Sequence, residues 1–170
     1  MKIIVTGGAG FIGSHLAEKL SKKNKVIIID NLSTGRLKNI ASFKNEIIFK
    51  KVDLSKNSLT WIKLFKGVDK VFHFAALADI VPSIQKPDEY FQSNVTGTLN
   101  VLEACRKFKI KKIVYAASSS CYGITDQIPT NEKADIKPQY PYALTKQIGE
   151  TLMLHWSKIY KINCTSLRLF

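Results

Sequence analysis

Residues 1–20 read MKIIVTGGAGFIGSHLAEKL. An apolar run from Ile3 to Val5 leads into a glycine-rich stretch, and an amphipathic stretch from Phe11 to Leu20 overlaps its end. This order predicts a strand, a tight turn and the start of a helix. Glycines in such a turn let the backbone approach a pyrophosphate, whose negative charge meets the amino terminus of the helix. The stretch therefore predicts a dinucleotide-binding turn, with a structural turn as the alternative; its binding residues are Gly7, Gly10 and Gly13.

Apolar runs continue along the chain and alternate with amphipathic stretches. Alternation of buried strands with helices is typical of a parallel sheet, whose ligand crevice lies at the carboxyl ends of the strands. We therefore expect an α/β fold, a doubly wound parallel sheet of the Rossmann type. Strands are predicted at 2–6, 25–29, 47–52, 68–74, 111–117 and 163–169. Helices are predicted at 11–22, 57–66, 88–108 and 141–160, with a short connection at 30–47 and a long loop at 118–140.

Composition bounds the class of protein. A length of 170 residues with 45% hydrophobic content suits one domain with its own core. No apolar run approaches the ~20 residues that span a bilayer, so we expect no membrane partner. The amino terminus has one lysine followed by a strand that the fold needs, so we expect no signal peptide. The three cysteines, Cys105, Cys121 and Cys164, are widely spaced and have no metal-ligand pattern. This spacing predicts a reducing, cytoplasmic setting and no metal site.

The formal net charge is +13 at pH 7. Lysines are spread over the whole chain, often in pairs such as Lys22-Lys23 and Lys111-Lys112, and no platform of aromatic and basic residues accompanies them. A solvated, lysine-rich surface is favoured over a nucleic-acid footprint. Positive potential would also attract an anionic nucleotide sugar, so charge alone does not choose the partner.

Two acids follow strands in the first half of the chain. Asp30 closes the second strand, where a carboxylate accepts hydrogen bonds from both ribose hydroxyls of an adenosine and repels a 2′-phosphate. This position favours NAD over NADP, although Arg36 is placed to accommodate a 2′-phosphate. A capping or turn acid is the alternative for Asp30. Asp53 follows the third strand and either meets the adenine edge or serves as a turn acid.

An acid/base pair is predicted in the second half. Tyr142 and Lys146 lie four residues apart on a predicted helix, so their side chains share one face. A tyrosine has an ordinary pKa near ~10, and roughly 4 kcal/mol from the ammonium and an oxidised nicotinamide would bring the phenolate to neutral pH. Ser118, Ser119 and Ser120 leave the fifth strand where the crevice should be, and a hydroxyl there can hold a sugar oxygen. A surface pair and backbone-capping serines are the alternatives.

Several short motifs occur in one order along residues 1–170: TGGAGFIG, DNLSTG, VDL, HFAA, NVTGTLNVLEA, SSSCYG and YALTK. In this combination the chain resembles the extended short-chain dehydrogenase/reductase family, in particular its NAD-dependent epimerase/dehydratase members and their UDP-glucose 4-epimerase branch. The resemblance implies that NAD is the cofactor and a UDP-sugar the substrate.

The resemblance also assigns residues by position. Phe11 and Ile12 would lie against the pyrophosphate, and Lys146 would bind the nicotinamide ribose as well as act in catalysis. The rest of the cofactor path would be Asp30, Asn31, Leu32, Ser33, Thr34 and Gly35 at the adenosine ribose, Asp53 and Leu54 at the adenine, then Phe74, Ala75, Ala76, Leu77, Ala78, Asn94 and Phe170, with Tyr142 beside it. Ser118, Tyr142 and Lys146 would be catalytic, and Ser118, Ser120 and Tyr142 would contact the substrate.

The chemistry implied by the resemblance is oxidation and re-reduction of a UDP-hexose at C4. Tyr142 as phenolate would take the C4 hydroxyl proton while hydride passes to NAD, and the 4-keto sugar would turn over before the hydride returns. Relatives that dehydrate or decarboxylate place an acid soon after the catalytic serine, and residues 116–125 contain none, which disfavours both reactions. A non-catalytic NAD-binding or redox-sensing module is the other alternative, and the intact set of Ser118, Tyr142 and Lys146 argues against it.

The last residues, TSLRLF, end inside an apolar strand, whereas members of this family continue into a smaller substrate-binding lobe. We therefore expect residues 1–170 to be the NAD-binding domain of a longer protein, with weak or no turnover alone. Members of the family usually dimerise. The resemblance thus implies a homodimer through the helices near 88–108 and 141–160.

Overall fold

Within residues 1–56, 58–126 and 128–170, which the computed structural model describes, six parallel strands form one sheet in the order β3-β2-β1-β4-β5-β6. The order reverses between β1 and β4, which is the switch point where ligands bind in doubly wound sheets. The expected α/β fold is confirmed. The strands are β1 (Lys2–Thr6), β2 (Lys25–Asp30), β3 (Ile47–Lys51), β4 (Lys70–His73), β5 (Lys112–Ser118) and β6 (Asn163–Leu169).

Helices cover both faces of the sheet. The long helices are α1 (Phe11–Ser21), α5 (Gly97–Lys107) and α6 (Pro141–Tyr160). The short helices are α2 (Leu59–Ile62), α3 (Ile80–Gln85) and α4 (Pro87–Tyr90), with a π-helical segment (Phe91–Thr96) between α4 and α5 and 3-10 turns at Leu37–Glu46, Lys63–Phe65 and Ser119–Tyr122. None of the helices in the described ranges is long and apolar enough to cross a bilayer.

Two cores form because successive residues of a strand face opposite sides of the sheet. Ile4 of β1 packs with residues of α5 and α6, including Leu102 and Met153. Its neighbours Ile3 and Val5 pack on the other face, in the core that includes α1. Strands buried on both faces in this way explain why the sequence shows continuous apolar runs rather than alternation.

Two predicted elements differ from the structure, and one short helix was not predicted. The predicted helix 57–66 begins at residue 57, which lies outside the described residues. Its described part is α2 followed by a 3-10 turn. The helical stretch ends before Gly67, whose φ is +69°. The predicted loop 118–140 includes residue 127, which also lies outside the described residues, and it starts too early, since Ser118 pairs with Leu169 in the sheet. The helix α3 was not predicted.

Candidate active site

The glycine turn joins β1 to α1 at the switch point. Gly7 has φ +68°, and its N–H donates to the carbonyl of Ile29 at 2.8 Å. A Cβ at Gly7 would lie 2.6 Å from the backbone nitrogen of Ala75, so a larger residue would collide with the chain that follows β4. The first N–H groups of α1 have no partners within the helix, and Gly10, which precedes the helix, lines the cleft described below.

Asp30 braces this turn. Its carboxylate accepts hydrogen bonds from the N–H of Ala9 at 2.9 Å and from the N–H of Leu32 at 2.8 Å. A carboxylate has lone pairs for about four hydrogen bonds, so two acceptor positions are left for ribose hydroxyls. The turn-acid alternative for Asp30 is therefore seen in the structure, and its contact with a ribose stays a prediction.

Asp53 forms a turn of its own. Its Oδ1 accepts from the N–H of Ser55 at 3.0 Å and from the hydroxyl of Ser55 at 2.7 Å. The turn-acid alternative for Asp53 is therefore seen in the structure, and the same residue also lines the cleft described next.

A cleft with a cavity volume of about 100 Å³ opens at the switch point. The predicted residues that line it are Gly7, Gly10, Asp30, Asn31, Ser33, Thr34, Gly35, Asp53, Leu54, Phe74, Ala75 and Ala76. Sequence reasoning missed Ile29, Val52, Ser55 and Ser93. All four flank predicted residues, Ser93 being next to Asn94, and this was the available signal.

Other predicted cofactor residues lie around the cleft rather than in its lining. Phe11 and Ile12 are exposed at the amino end of α1, and Gly13 is buried within that helix. Phe170 is 90% exposed, and its ring lies 6.4 Å from that of Tyr122, so the structure does not bring it to the cleft.

Asn94 holds the backbone that follows β4. Its side-chain oxygen accepts from the N–H of Leu77 at 2.7 Å, and its amide donates to the carbonyl of Leu77 at 2.9 Å. The same amide donates to the hydroxyl of Thr145 at 3.0 Å, which ties the segment to α6. The carbonyl of Ala78 accepts from Tyr90 at 3.2 Å. Asn94 thus shapes one wall of the site from below.

The three predicted catalytic residues lie on β5 and α6, which pack against each other. Ser118 ends β5, and its hydroxyl oxygen accepts from the N–H of Ser120 at 3.2 Å, which leaves the hydroxyl proton free to be donated elsewhere. Tyr142 stands in the first turn of α6, with the ring of Tyr90 edge-on at 6.5 Å. Lys146 is buried one turn later, and burial lowers its pKa to about 7.

A buried hydrogen-bond chain runs beneath these residues, and sequence reasoning missed it. The hydroxyl of Thr6 accepts from the N–H groups of Phe74 and Ala75, so it donates to Nδ1 of His73 at 2.7 Å. Nε2 of His73 then donates to Thr98 at 2.9 Å, since the hydroxyl of Thr98 donates to the carbonyl of Asn94 at 2.6 Å.

These directions require a neutral His73. Its pKa is lowered to about 3 by burial, the larger cause, and by the charge of Lys146. The only signal in the sequence was the position of this histidine at the end of a strand, in HFAA.

The doubly wound sheet has a dinucleotide cleft at its switch point, and a Ser/Tyr/Lys set lies on the adjoining strand and helix. These two features together define a class of nucleotide-dependent enzymes. The sequence profile of the NAD dependent epimerase/dehydratase family matches residues 3–170. The chain belongs to this family, and the cofactor of the family is NAD.

Individual curated relatives and solved structures support the same family. The chain is 35% identical to UDP-glucose 4-epimerase of Streptococcus mutans, covering 100% of this chain and 51% of the relative. The solved UDP-N-acetylglucosamine 4-epimerase of Methanobrevibacter ruminantium, in complex with UDP-N-acetylmuramic acid, has a TM-score of 0.93 and 37% identity over 98% of this chain and 54% of that one. The solved UDP-glucose 4-epimerase of Brucella ovis, in complex with NAD, has a TM-score of 0.92 and 31% identity over 99% of this chain and 51% of that one. The chain spans about half the length of the relatives it matches.

Proposed function

We propose that this chain is the NAD-binding and catalytic part of a UDP-hexose 4-epimerase. The observation that carries the proposal is that one edge of the sheet presents both the cleft lined by Asp30 and the group of Ser118, Tyr142 and Lys146. The similarity to enzymes named as UDP-glucose and UDP-N-acetylglucosamine 4-epimerases supports the reaction class.

The residues of the cleft fit NAD. The glycine turn and the amino end of α1 would hold the pyrophosphate, and Asp30 would take the adenosine ribose with its free acceptor positions. A 2′-phosphate would meet the Asp30 carboxylate, which favours NAD over NADP.

Bound NAD supplies the acceptor and donor of hydride at C4 of the sugar. Tyr142 would remove and return the proton of the C4 hydroxyl, and the free hydroxyl proton of Ser118 would hold the C4 oxygen in place. Lys146 contributes positive charge that favours the phenolate of Tyr142. With a pKa of about 7, this charge is present below that pH and declines above it.

The proposal extends to assembly and setting. A homodimer would form through the π-helical segment, α5 and α6, which lie side by side and expose Phe91, Leu144 and Leu154. A reducing cytoplasm suits the free thiols of Cys105, Cys121 and Cys164, none of which is paired among the described residues.

The test is conversion of UDP-galactose to UDP-glucose by stoichiometric, NAD-loaded protein, followed by proton NMR of the sugar. The matched variants are Tyr142→Phe and Tyr160→Phe, since Tyr160 is an exposed tyrosine at the other end of α6. We expect slow conversion by the parent and by Tyr160→Phe, and none by Tyr142→Phe. Equal conversion by Tyr142→Phe would contradict the role proposed for Tyr142 as the acid and base of the reaction.

A further inference from the structure

The ammonium of Lys146 is buried without an acidic partner in the described part of the chain. The residue is only 3% exposed, and the ion pairs found in residues 1–56, 58–126 and 128–170 do not include it. Its Nζ instead lies 4.3 Å from the centroid of the Tyr115 ring. The face of an aromatic ring attracts a cation, and the attraction grows when both are removed from water. This ring is thus placed to compensate part of the buried charge.

The ring of Tyr115 is held from several sides. It is fully buried in β5, and its hydroxyl donates a long hydrogen bond of 3.4 Å to the carbonyl of Lys146. The ring of His73 lies 5.6 Å away at 30°, within the hydrogen-bond chain beneath the site. The position of the ring is therefore set by β4 and α6 as well as by its own strand.

Gly149 makes room for this ring. It lies on α6, where glycine weakens a helix relative to alanine by roughly 1 kcal/mol. A Cβ at this position would lie 2.9 Å from Cζ of Tyr115 and would collide with its hydroxyl oxygen. The glycine is therefore explained by the approach of the Tyr115 ring to α6 rather than by a turn.

We propose that Tyr115 is a positioning residue whose ring face seats the Lys146 ammonium, and that Gly149 opens the space which this seat requires. The inference rests on the proposed function, because it takes Lys146 as the cation that acts beside Tyr142. Tyr115 lies beneath the site and acts through Lys146.

The other titratable groups around Lys146 and Tyr115 do not take the place of the ring in stabilising the charge of Lys146. Tyr142 and Glu150 lie on the same helix and act electrostatically on Tyr115, and Glu150 is engaged by Arg168. His73 on β4 is neutral, as its hydrogen bonds require. Removal of the ring should therefore destabilise the charged form of Lys146 without another group replacing it.

The test is an NMR titration of Lys146 in protein labelled with ¹³Cε-lysine, assigned with Lys146→Gln, and it needs no turnover. Tyr115→Phe keeps the ring and should leave the acid dissociation constant of Lys146 within about twofold of the parent value. Tyr115→Leu removes the ring and should raise that constant about tenfold. A constant for Tyr115→Leu within twofold of the parent would overturn the proposal, whether or not the protein epimerises a sugar.

A second pair of variants covers the case in which Tyr115→Leu does not fold. Gly149→Ala should displace the ring and shift the ¹³Cε resonance and titration of Lys146. The same substitution in a Tyr115→Phe background should have a smaller effect, because the colliding hydroxyl is absent. Equal effects of Gly149→Ala in the two backgrounds, or no effect on Lys146 in either, would refute the seat.

Discussion

At the residue scale, His73 makes the fold sensitive to acid. Burial, with the charge of Lys146, lowers its pKa from 6.5 to about 3, so between these values the unfolded chain binds a proton that the folded chain does not. The contribution of His73 to stability is therefore complete above pH 6.5 and declines as the pH falls, by about 1.4 kcal/mol per pH unit. At about pH 4.5 the free energy of unfolding should have lost on the order of 3 kcal/mol from this residue.

Urea unfolding of His73→Gln from about pH 4.5 to 7.5 measures this loss. The variant should be less stable than the parent near neutral pH, because the hydroxyls of Thr6 and Thr98 lose a partner, but it should lack this part of the acid dependence. The exposed His155, changed to glutamine, is the matched control and should keep the parental profile. A parental acid dependence in His73→Gln would show that another group is responsible.

Asp30 allows a prediction about the cofactor. Asp30→Ala removes a charged acceptor from the cleft, one hydrogen bond from Ala9 in the glycine turn and one from Leu32, so NAD affinity should fall about 10- to 100-fold. The loss for NADP should be smaller, since the repulsion of its 2′-phosphate is removed at the same time. Calorimetric titration of both nucleotides tests this, with the exposed Asp88→Ala as control. Equal losses for NAD and NADP would contradict the assignment of Asp30 to the ribose.

Residues of the site differ in how far the sequence predicts them. The glycine turn, Asp30, and the spacing of Tyr142 and Lys146 are local patterns whose chemistry can be read within one segment. The hydrogen-bond chain is different, because Thr6 and His73 are 67 positions apart and His73 and Thr98 are 25 apart. A buried histidine with such partners has no local signature, so only the fold could assemble this layer.

At the element scale, the strands and the three long helices follow from apolar periodicity, and their order predicts the sheet. The exceptions have local causes. The sequence of α3, IVPSIQ, contains a proline, and Asp79 before it has φ +98°. Neither helical periodicity nor an ordinary cap therefore indicates this helix in the sequence. The segment predicted as the helix 88–108 contains π-helical turns at Phe91–Thr96, where the hydrogen-bond step lengthens without a signal in residue type.

The junction of α6 with β6 depends on one buried ion pair. Arg168 Nε lies 3.0 Å from Glu150 Oε2, and its Nη1 donates to the hydroxyl of Tyr122 at 2.9 Å and to the carbonyl of Glu132 at 3.1 Å. Removing one partner leaves an uncompensated charge in a site where both side chains are largely buried. Arg168→Met should therefore lower the free energy of unfolding by about 3 kcal/mol.

Chemical denaturation tests this junction by a double-mutant cycle. Glu150→Gln combined with Arg168→Met should cost less than the sum of the single changes, because no lone charge remains. Glu89→Gln, which breaks the exposed pair of Lys86 and Glu89, is the control and should cost under ~0.5 kcal/mol. Additive costs in the cycle would mean that the two side chains stabilise the junction independently.

At the scale of the whole molecule, part of the positive charge lies away from the site. Lys2, Lys25, Lys70 and Lys112 begin four strands, so they stand at the amino edge of the sheet, opposite the cleft. The sequence shows these lysines only as scattered, and the parallel sheet gathers them. These four lysines therefore stand away from an anionic nucleotide in the cleft, where the glycine turn and the helix α1 would meet its phosphates and Lys51 ends β3 beside Asp30.

The last prediction concerns assembly. Leu144 and Leu154 lie on α6 and are 38% and 52% exposed, and Phe91, in the π-helical segment that packs on α5 and α6, is 37% exposed. Apolar surface of this kind on two adjacent helices is typical of a helix-mediated interface. The protein should therefore have a mass near twice 19.1 kDa in light scattering, and Leu154→Glu should reduce it toward 19.1 kDa by burying a charge at the interface.

Leu37→Glu is the matched control for this experiment. Leu37 is similarly exposed but lies in the 3-10 turn that packs with α1 on the other face of the sheet, so the charge should leave the dimer intact. Dissociation by both variants would indicate a general loss of folding, which circular dichroism would detect. A dimer that survives Leu154→Glu would mean that the interface does not include α6. A monomeric parent would remove the dimer from the proposed function. The chemistry proposed for Tyr142 and Lys146 would be unaffected, since both residues belong to one chain.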